Sequence, residues 1–308
     1  MDRGAAFLIA AEEALVGAAL SRALVRRGHT RVLTSTDPAA LPAVFAAERP
    51  AYVVLAGPAG GIGANERRPA DLMRANLELD TAVFELARRH GVRKLLYLGS
   101  SCTYPRDCAQ PMGVDSLMTG PLEPTSEPYA MAKLAGLRLC ESYRRQHACD
   151  FIAAIPAGTI GPDDHFDPED SHVAGALLMK MDAAAREGRP AVSIWGSGNA
   201  RREFIAADDL AEACLFLMER HDGAAPINVG TGLAVTIREL AETIREVVGF
   251  RGELQFDTSK PDGAPEKRLD SAPLLALGWK PSLDLRQALA LAYAGLKRHQ
   301  ETHARASV

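Results

Sequence analysis

Ala5-Ala-Phe-Leu-Ile-Ala-Ala-Glu-Glu-Ala-Leu-Val-Gly-Ala-Ala-Leu-Ser-Arg-Ala-Leu-Val-Arg-Arg27 carries a strand, a turn and a helix in that order. Its apolar run Ala5–Ala10 predicts a buried strand, and the spacing of apolar residues over Leu15–Arg27 predicts an amphipathic helix. The unit then recurs along the chain. Arg31–Thr34, Tyr52–Ala56, Lys94–Gly99 and Phe151–Ile155 read as strands, with helices at Leu41–Glu48, Asp71–His90 and Tyr129–Gln146 between them. Within Asp71–His90, the residues Leu72, Ala75, Asn76 and Leu79 fall on one face. This alternation predicts an α/β fold, a Rossmann-like doubly wound parallel sheet covered on both sides, with ligands at the carboxyl ends of the strands.

Beyond Pro156 the texture changes. Turn-rich stretches appear at Gly161-Pro-Asp-Asp164 and Gly196-Ser-Gly-Asn199. Helices are expected at Val173–Arg186, Asp208–Glu219, Ile237–Val248 and Arg286–His299, with short strands at Val192–Trp195 and Leu254–Phe256. Residues 1–160 are therefore expected to form the Rossmann-like domain. Residues 161–300 are expected to form mainly a smaller α/β substrate-binding lobe, with some segments returning to the first domain. Residues 301–308 read as a frayed tail, and the substrate cleft is expected between the lobes.

Composition narrows the function classes. The chain has 308 residues, 47% hydrophobic and 24% charged, and 35 basic against 39 acidic residues leave a net charge of −4. Its basic residues are scattered, so no nucleic-acid partner is expected. The most apolar stretch, Ala5–Val25, is interrupted by Glu12, Glu13 and Arg22, which excludes a membrane span and a signal peptide as readings. Cys102, Cys108, Cys140, Cys149 and Cys214 are odd in number and irregularly spaced, which points to a reduced cytoplasmic protein without a metal site.

The sharpest chemical signal is Tyr129-Ala-Met-Ala-Lys133. Positions i and i+4 share a helix face, so the ammonium is expected near the phenol, lowering its pKa toward working pH. Thirty residues upstream, Gly99-Ser-Ser-Cys-Thr-Tyr-Pro105 puts a hydroxyl and a thiol at the end of a strand. Taken singly each feature has a structural reading: a solvated helix face, a small buried Cys102, a turn histidine at His172. Together they are a constellation.

These segments resemble the extended short-chain dehydrogenase/reductase family, and within it the nucleotide-sugar epimerase–reductases that act on a GDP-linked 4-keto-6-deoxy sugar. The likeness extends to Leu139-Cys-Glu-Ser-Tyr143, Trp195-Gly-Ser-Gly198, Arg202-Glu-Phe204, Asn228-Val-Gly-Thr-Gly232 and Ser259-Lys-Pro-Asp-Gly263. The resemblance implies a catalytic trio Ser100, Tyr129 and Lys133, and an epimerisation pair Cys102 and His172. It implies substrate contacts at Lys180, Trp195, Arg202 and Lys267, and a homodimer formed through the two long helices. The chemistry agrees. A ketone at carbon 4 acidifies the protons on carbons 3 and 5, a thiol and an imidazole can move them, and the hydroxyls of Ser100 and Tyr129 can hold an enolate oxygen.

Several stretches depart from the family on its cofactor side: Thr34 and Thr36 stand where it has arginines, the Gly57–Pro58 region where it has a lysine, Pro156-Ala-Gly-Thr-Ile-Gly-Pro162 differs near the nicotinamide, and the first turn departs most. Where its members read Gly-x-x-Gly-x-x-Gly, this chain has Ala11-Glu12-Glu13-Ala14-Leu15-Val16-Gly17. The methyls of Ala11 and Ala14 are expected to crowd the turn. Each carboxylate of Glu12 and Glu13 would repel a phosphate by on the order of 3 kcal/mol at about 5 Å and an effective dielectric near 20. The expectation is therefore an epimerase at carbon 3 and/or 5 that requires no cofactor and leaves reduction to a separate downstream reductase. The alternatives are a bifunctional NADPH-dependent 3,5-epimerase/4-reductase, and a non-catalytic regulator that binds a nucleotide sugar.

Overall fold

The computed structural model describes residues 1–11, 14–167, 171–260 and 262–306. Glu12 and Glu13 lie outside the described residues. The chain opens with β1 (Phe7–Ala11), α1 (Leu15–Arg26), β2 (Val32–Thr34), α2 (Leu41–Glu48) and β3 (Tyr52–Ala56). It continues through α3 (Ile62–Arg67), α4 (Pro69–Arg89), β4 (Lys94–Leu98), α5 (Glu127–His147) and β5 (Phe151–Pro156). These strands, joined by the later β9 (Ile227–Val229), form a parallel sheet in the order β2-β1-β3-β4-β5-β9. The order reverses between β1 and β3, and in an open α/β sheet the crevice outside such a switch point is where ligands bind. The inner strands read FLIAA, YVVLA, KLLYL and FIAAIP and are almost wholly buried, as expected where helices cover both faces of a parallel sheet.

The second region comprises β6 (Gly158–Ile160), α6 (Val173–Arg186), β7 (Ala191–Trp195), β8 (Arg201–Ala206) and α7 (Ala207–Arg220). After β9 come β10 (Ala234–Thr236), α8 (Ile237–Val248), β11 (Glu253–Asp257), β12 (Glu266–Lys267), α9 (Ala272–Ala276) and α10 (Leu285–Ala306). Strand β8 is the hub, pairing with β6 and β12 in parallel and with β10 antiparallel, while β7 and β11 make a separate parallel pair. A second apolar core gathers Leu178, Met181, Ile194, Leu240, Ile244 and Leu289. Helix α7 instead packs on α1 and the large sheet, where Arg27 pairs with Glu212 and Glu219.

Several boundaries differ from the sequence expectation. β8 reads RREFIA, with two arginines and a glutamate, so no apolar run announces it. The segment read as a tail from residue 301 is helical to Ala306. Tyr293, Lys297 and Gln300 of α10 all bond to Asp182 of α6, and the helix runs on from that anchor. Among the described residues no helix is long and apolar enough to cross a membrane.

Candidate active site

The carboxyl end of β4 builds the centre of the site. After Gly99 the chain stays extended at Ser100 (φ −150°, ψ 146°) and then turns through Ser101–Thr103. Ser100 Oγ accepts from the Cys102 backbone N–H at 3.2 Å, and Thr103 Oγ1 donates to the Ser100 carbonyl at 2.6 Å. The turn thereby holds the hydroxyl and the half-buried thiol two residues apart in a fixed relation. Helix α5 supplies Tyr129 and Lys133 from its inward face, 7% and 2% exposed. Tyr129 is hydrogen-bonded with Ser100.

The electrostatics run against one expectation. Burial raises the Tyr129 pKa, Cys102 adds to the rise, and the Ser100 hydrogen bond only opposes it. The Lys133 ammonium does not reverse this. Nζ lies 6.0 Å from the Tyr129 ring centroid, donates to the Leu98 carbonyl at 3.3 Å, and has its pKa lowered by burial against the opposing charge of Asp80. The i,i+4 spacing puts the two side chains on one face, but desolvation dominates both groups. Burial thus favours the protonated phenol at Tyr129.

The other sequence-derived residues fall into two groups. His172 is the N-cap of α6, with φ −66° and ψ 163°. The residue as a whole is exposed, yet the protein around its imidazole displaces enough water to lower its pKa from 6.5. Two turns along α6, Lys180 Nζ donates to the Ser193 carbonyl of β7 at 2.7 Å, and burial lowers its pKa. Trp195 ends β7 with 68% of its surface exposed, and Lys260 Nζ stands 5.5 Å from its ring centroid. In the second group Arg202 and Lys267 are register partners on β8 and β12. Arg202 also donates to the Ala264 carbonyl at 2.7 Å. Among the described residues no hydrogen bond or ion pair joins His172 to Cys102.

Four buried polar residues near the site were given no role by the sequence reading. Glu203, 3% exposed, accepts the backbone N–H of Gly232 and of Leu269, each at 2.7 Å. Asn228 accepts from Tyr104 at 2.6 Å and donates to the carbonyls of Met112 and Asp270. Together they fasten the segment carrying Lys267 to the segment that follows Cys102. Asn76 and Asp80, both fully buried on α4, are the other two. Their i,i+4 spacing within an apolar helix face was the available signal.

The crevice at the switch point can be tested against a dinucleotide, which needs close backbone approach and free donors at a helix N-terminus. Gly57 follows β3, and a Cβ there would lie 2.3 Å from Asn76 Oδ1 and 3.4 Å from Lys133 Nζ, so only glycine fits. Asn76 Oδ1 is itself buried without a hydrogen-bond partner. Contrary to the crowding expected, the Ala11 methyl is 2% exposed and belongs to the apolar core. Ala14 is exposed, in an extended conformation (φ −76°, ψ 177°) open to any residue. Gly17 is buried within α1, whose first turn holds no acidic residue. The close approach at Gly57 and the orphaned Asn76 Oδ1 fit the group, whereas at α1 the Leu15 N–H is already given to the Asp163 carbonyl at 2.8 Å.

A family model described as the NAD dependent epimerase/dehydratase family matches residues 8–230. The chain belongs to this family. It is an enzyme of the extended short-chain dehydrogenase/reductase fold. It is 45% identical over 300 residues to GDP-L-fucose synthase 1 of Arabidopsis thaliana, covering 95% of this chain and 93% of the relative. It is 43% identical to the GDP-L-fucose synthase of Escherichia coli strain K12, covering 95% and 97%. Among solved structures, a GDP-mannoheptose C4 reductase from Campylobacter jejuni with NADP bound superposes with a TM-score of 0.87 at 30% identity, covering 96% of this chain and 99% of that one. These findings overturn the expectation of a hydride-free epimerase that needs no cofactor. Of the steric part of that expectation, Ala11 turns its methyl into the core and the backbone at Ala14 makes no demand for glycine; Glu12 and Glu13, which carried the electrostatic part, lie outside the described residues. The separate downstream reductase loses its rationale with that reading.

Proposed function

We propose that this enzyme is a bifunctional NADPH-dependent 3,5-epimerase/4-reductase of a GDP-linked 4-keto-6-deoxy sugar. The observation that carries the proposal is the hydrogen-bonded Ser100–Tyr129 pair over a buried Lys133, with Cys102 two residues from Ser100. The two hydroxyls hold the oxygen at carbon 4 and stabilise the enolate formed when a proton leaves carbon 3 or 5. Cys102 and His172 serve as the proton-moving pair, and the lowered pKa of His172 leaves a neutral imidazole available as a base. Tyr129, kept protonated by burial, gives its proton to the carbon-4 oxygen during reduction. The crevice at the carboxyl ends of β1, β3 and β4 that includes Gly57 would hold NADPH, which when bound would supply the hydride. Lys180, Arg202 and Lys267 provide positive charge for the diphosphate side of the substrate, and exposed Trp195 offers a flat apolar face to the nucleotide.

The enzyme is proposed to act as a homodimer through α4 and α5, and the five free cysteines support a cytoplasmic setting. The residue ranges 1–160 and 161–300 remain the proposed division between cofactor domain and substrate lobe. The test is direct. Purified protein is mixed with GDP-4-keto-6-deoxy-mannose and NADPH in deuterium oxide. Loss of NADPH absorbance matched by reduced sugar, with deuterium at carbons 3 and 5, is the expected outcome. Deuterium uptake without any NADPH consumption would remove the reductase half of the proposal.

A further inference from the structure

Beneath Tyr129 lies a buried polar cluster that the chemistry above does not use. Asp80 of α4 is 0% exposed, as are its helix neighbours Val83 and Phe84, while Leu79 is 2% exposed. An apolar residue would suit such a position, and a buried carboxylate there costs stability unless it is well paired. Its pairing is sparse. Tyr97 OH of β4 donates to Oδ2 at 2.9 Å, and Oδ1 has no hydrogen-bond partner. Lys133, 2% exposed, is matched to it in need: an ammonium has three donors, and the hydrogen bond it makes here is the one to Leu98.

The two charges are linked through Tyr97 and through space. The Tyr97 hydroxyl also reaches the Lys133 backbone carbonyl at 3.4 Å, and its ring centroid is 5.2 Å from Lys133 Nζ. The niche is shaped for this arrangement, because a Cβ at Gly136 would lie 2.1 Å from the Tyr97 hydroxyl and 2.8 Å from Asp80 Oδ2. In a low-dielectric interior, opposite charges that do not touch still couple strongly.

We propose that Asp80 is a positioning residue for the reaction at Tyr129: its buried carboxylate, fixed by the Tyr97 hydroxyl, is the counter-charge that keeps the Lys133 ammonium charged beneath the phenol. The proposal rests on the reading of Tyr129 as the proton donor given above. Burial alone would drive both groups neutral, raising Asp80 and lowering Lys133, and each charge resists the neutralisation of the other. The titratable groups around the pair are Tyr97 from β4 and Tyr129 from α5, with Cys140 of α5 acting on Tyr97, Cys102 of the turn after β4 acting on Tyr129, and neutral Asn76 one turn along α4. Lys133 is therefore the cation of this cluster, and Asp80 is the acid that answers it.

The test is an NMR titration of ε-13C-labelled lysine, with the Lys133 signal assigned by its loss in Lys133→Met. It is run on the unmodified protein, Asp80→Asn and Tyr97→Phe. Asp80→Asn is expected to lower the Lys133 midpoint by about 1–3 pH units, the range an adjacent opposite charge supplies. The alkaline limb of kcat for NADPH-dependent reduction should move the same way, with KM for the sugar nucleotide unchanged. Tyr97→Phe, which removes one hydroxyl, should move both in the same direction by less, and it decides the matter alone if Asp80→Asn does not fold. Superimposable Lys133 titrations in all folded variants would overturn the proposal. Failure of the unmodified protein to consume NADPH would instead refute the assigned reaction, while the lysine titration still decides whether Asp80 holds that charge.

Discussion

Asp182 and Asp80 are both buried aspartates on helices, at 1% and 0% exposure, and the molecule treats them in opposite ways. Asp182, between α6 and α10, accepts from Arg186, Tyr293, Lys297 and Gln300 at 2.8–3.1 Å. Burial pushes its pKa up, but those four donors outweigh it and hold the carboxyl below its ordinary range. Asp80, under the site, has one hydroxyl and an orphaned oxygen, and there burial wins and the pKa rises. A buried acid that the fold satisfies fully is a clasp. One that the fold leaves half-satisfied beside a buried lysine and the phenol proposed as proton donor is held at a cost in stability, which is the pattern of a functional site.

The comparison can be broken most easily at its largest expected effect. Tyr129→Phe removes a single hydroxyl from the site, and it should lower kcat for NADPH-dependent reduction about 100- to 10,000-fold, as loss of a general acid does. The fold should be unchanged by circular dichroism, and near-normal turnover would separate Tyr129 from the chemistry.

The next effect lies in the other region. Asp182→Asn should destabilise the protein by about 3 kcal/mol in denaturant titrations, because an amide cannot accept from four donors. Kinetics should stay normal. The pH dependence sharpens the contrast. A depressed carboxyl stabilises the fold above its unfolded pKa, and that contribution is lost as pH falls through the lower folded value. Asp182→Asn should therefore flatten the acid-side loss of stability below about pH 4. Asp80→Asn should behave in reverse. A raised carboxyl loses its contribution as pH rises through the folded value, so the substitution should flatten the alkaline-side loss instead, and activity should fall because Lys133 is left without its counter-charge. A large loss of stability in Asp80→Asn together with normal pH–rate behaviour would erase the distinction.

The smallest effect is Tyr293→Phe. It removes one of four donors to Asp182 and should cost about 1 kcal/mol with no change in any kinetic parameter. Its counterpart Tyr97→Phe removes the one hydroxyl on Asp80 and should move the titration of Lys133. If both tyrosines behaved alike, the two aspartates would differ in surroundings but not in role.

Part of the site was legible before any coordinates. Ser100, Cys102, Tyr129 and Lys133 sit in short segments whose geometry is set locally, by a strand end and by one helical turn. Lys180, Trp195, Arg202 and Lys267 were named by resemblance to a family. Only the ladder between β8 and β12 places Arg202 beside Lys267, and β8 itself has no apolar run to mark it. The altered turn at Ala11 and Ala14 misled the reading for the same kind of reason. A methyl can be counted in a sequence, but whether it points into the core or into a groove depends on the strands packed around it.

The sequence by itself determined the strand–helix units of the large sheet, the face that Tyr129 shares with Lys133, and the strand end that presents Ser100 and Cys102. Each is encoded within about a dozen residues, the reach of helix and strand periodicity. Tertiary structure decided the charge state of the site. Burial raises the Tyr129 pKa and lowers that of Lys133, and Asp80 and Tyr97 come beside Lys133 only when α4 and β4 close against α5. Desolvation and through-space charge depend on what surrounds a group in three dimensions, and those surroundings come from segments far apart in the chain.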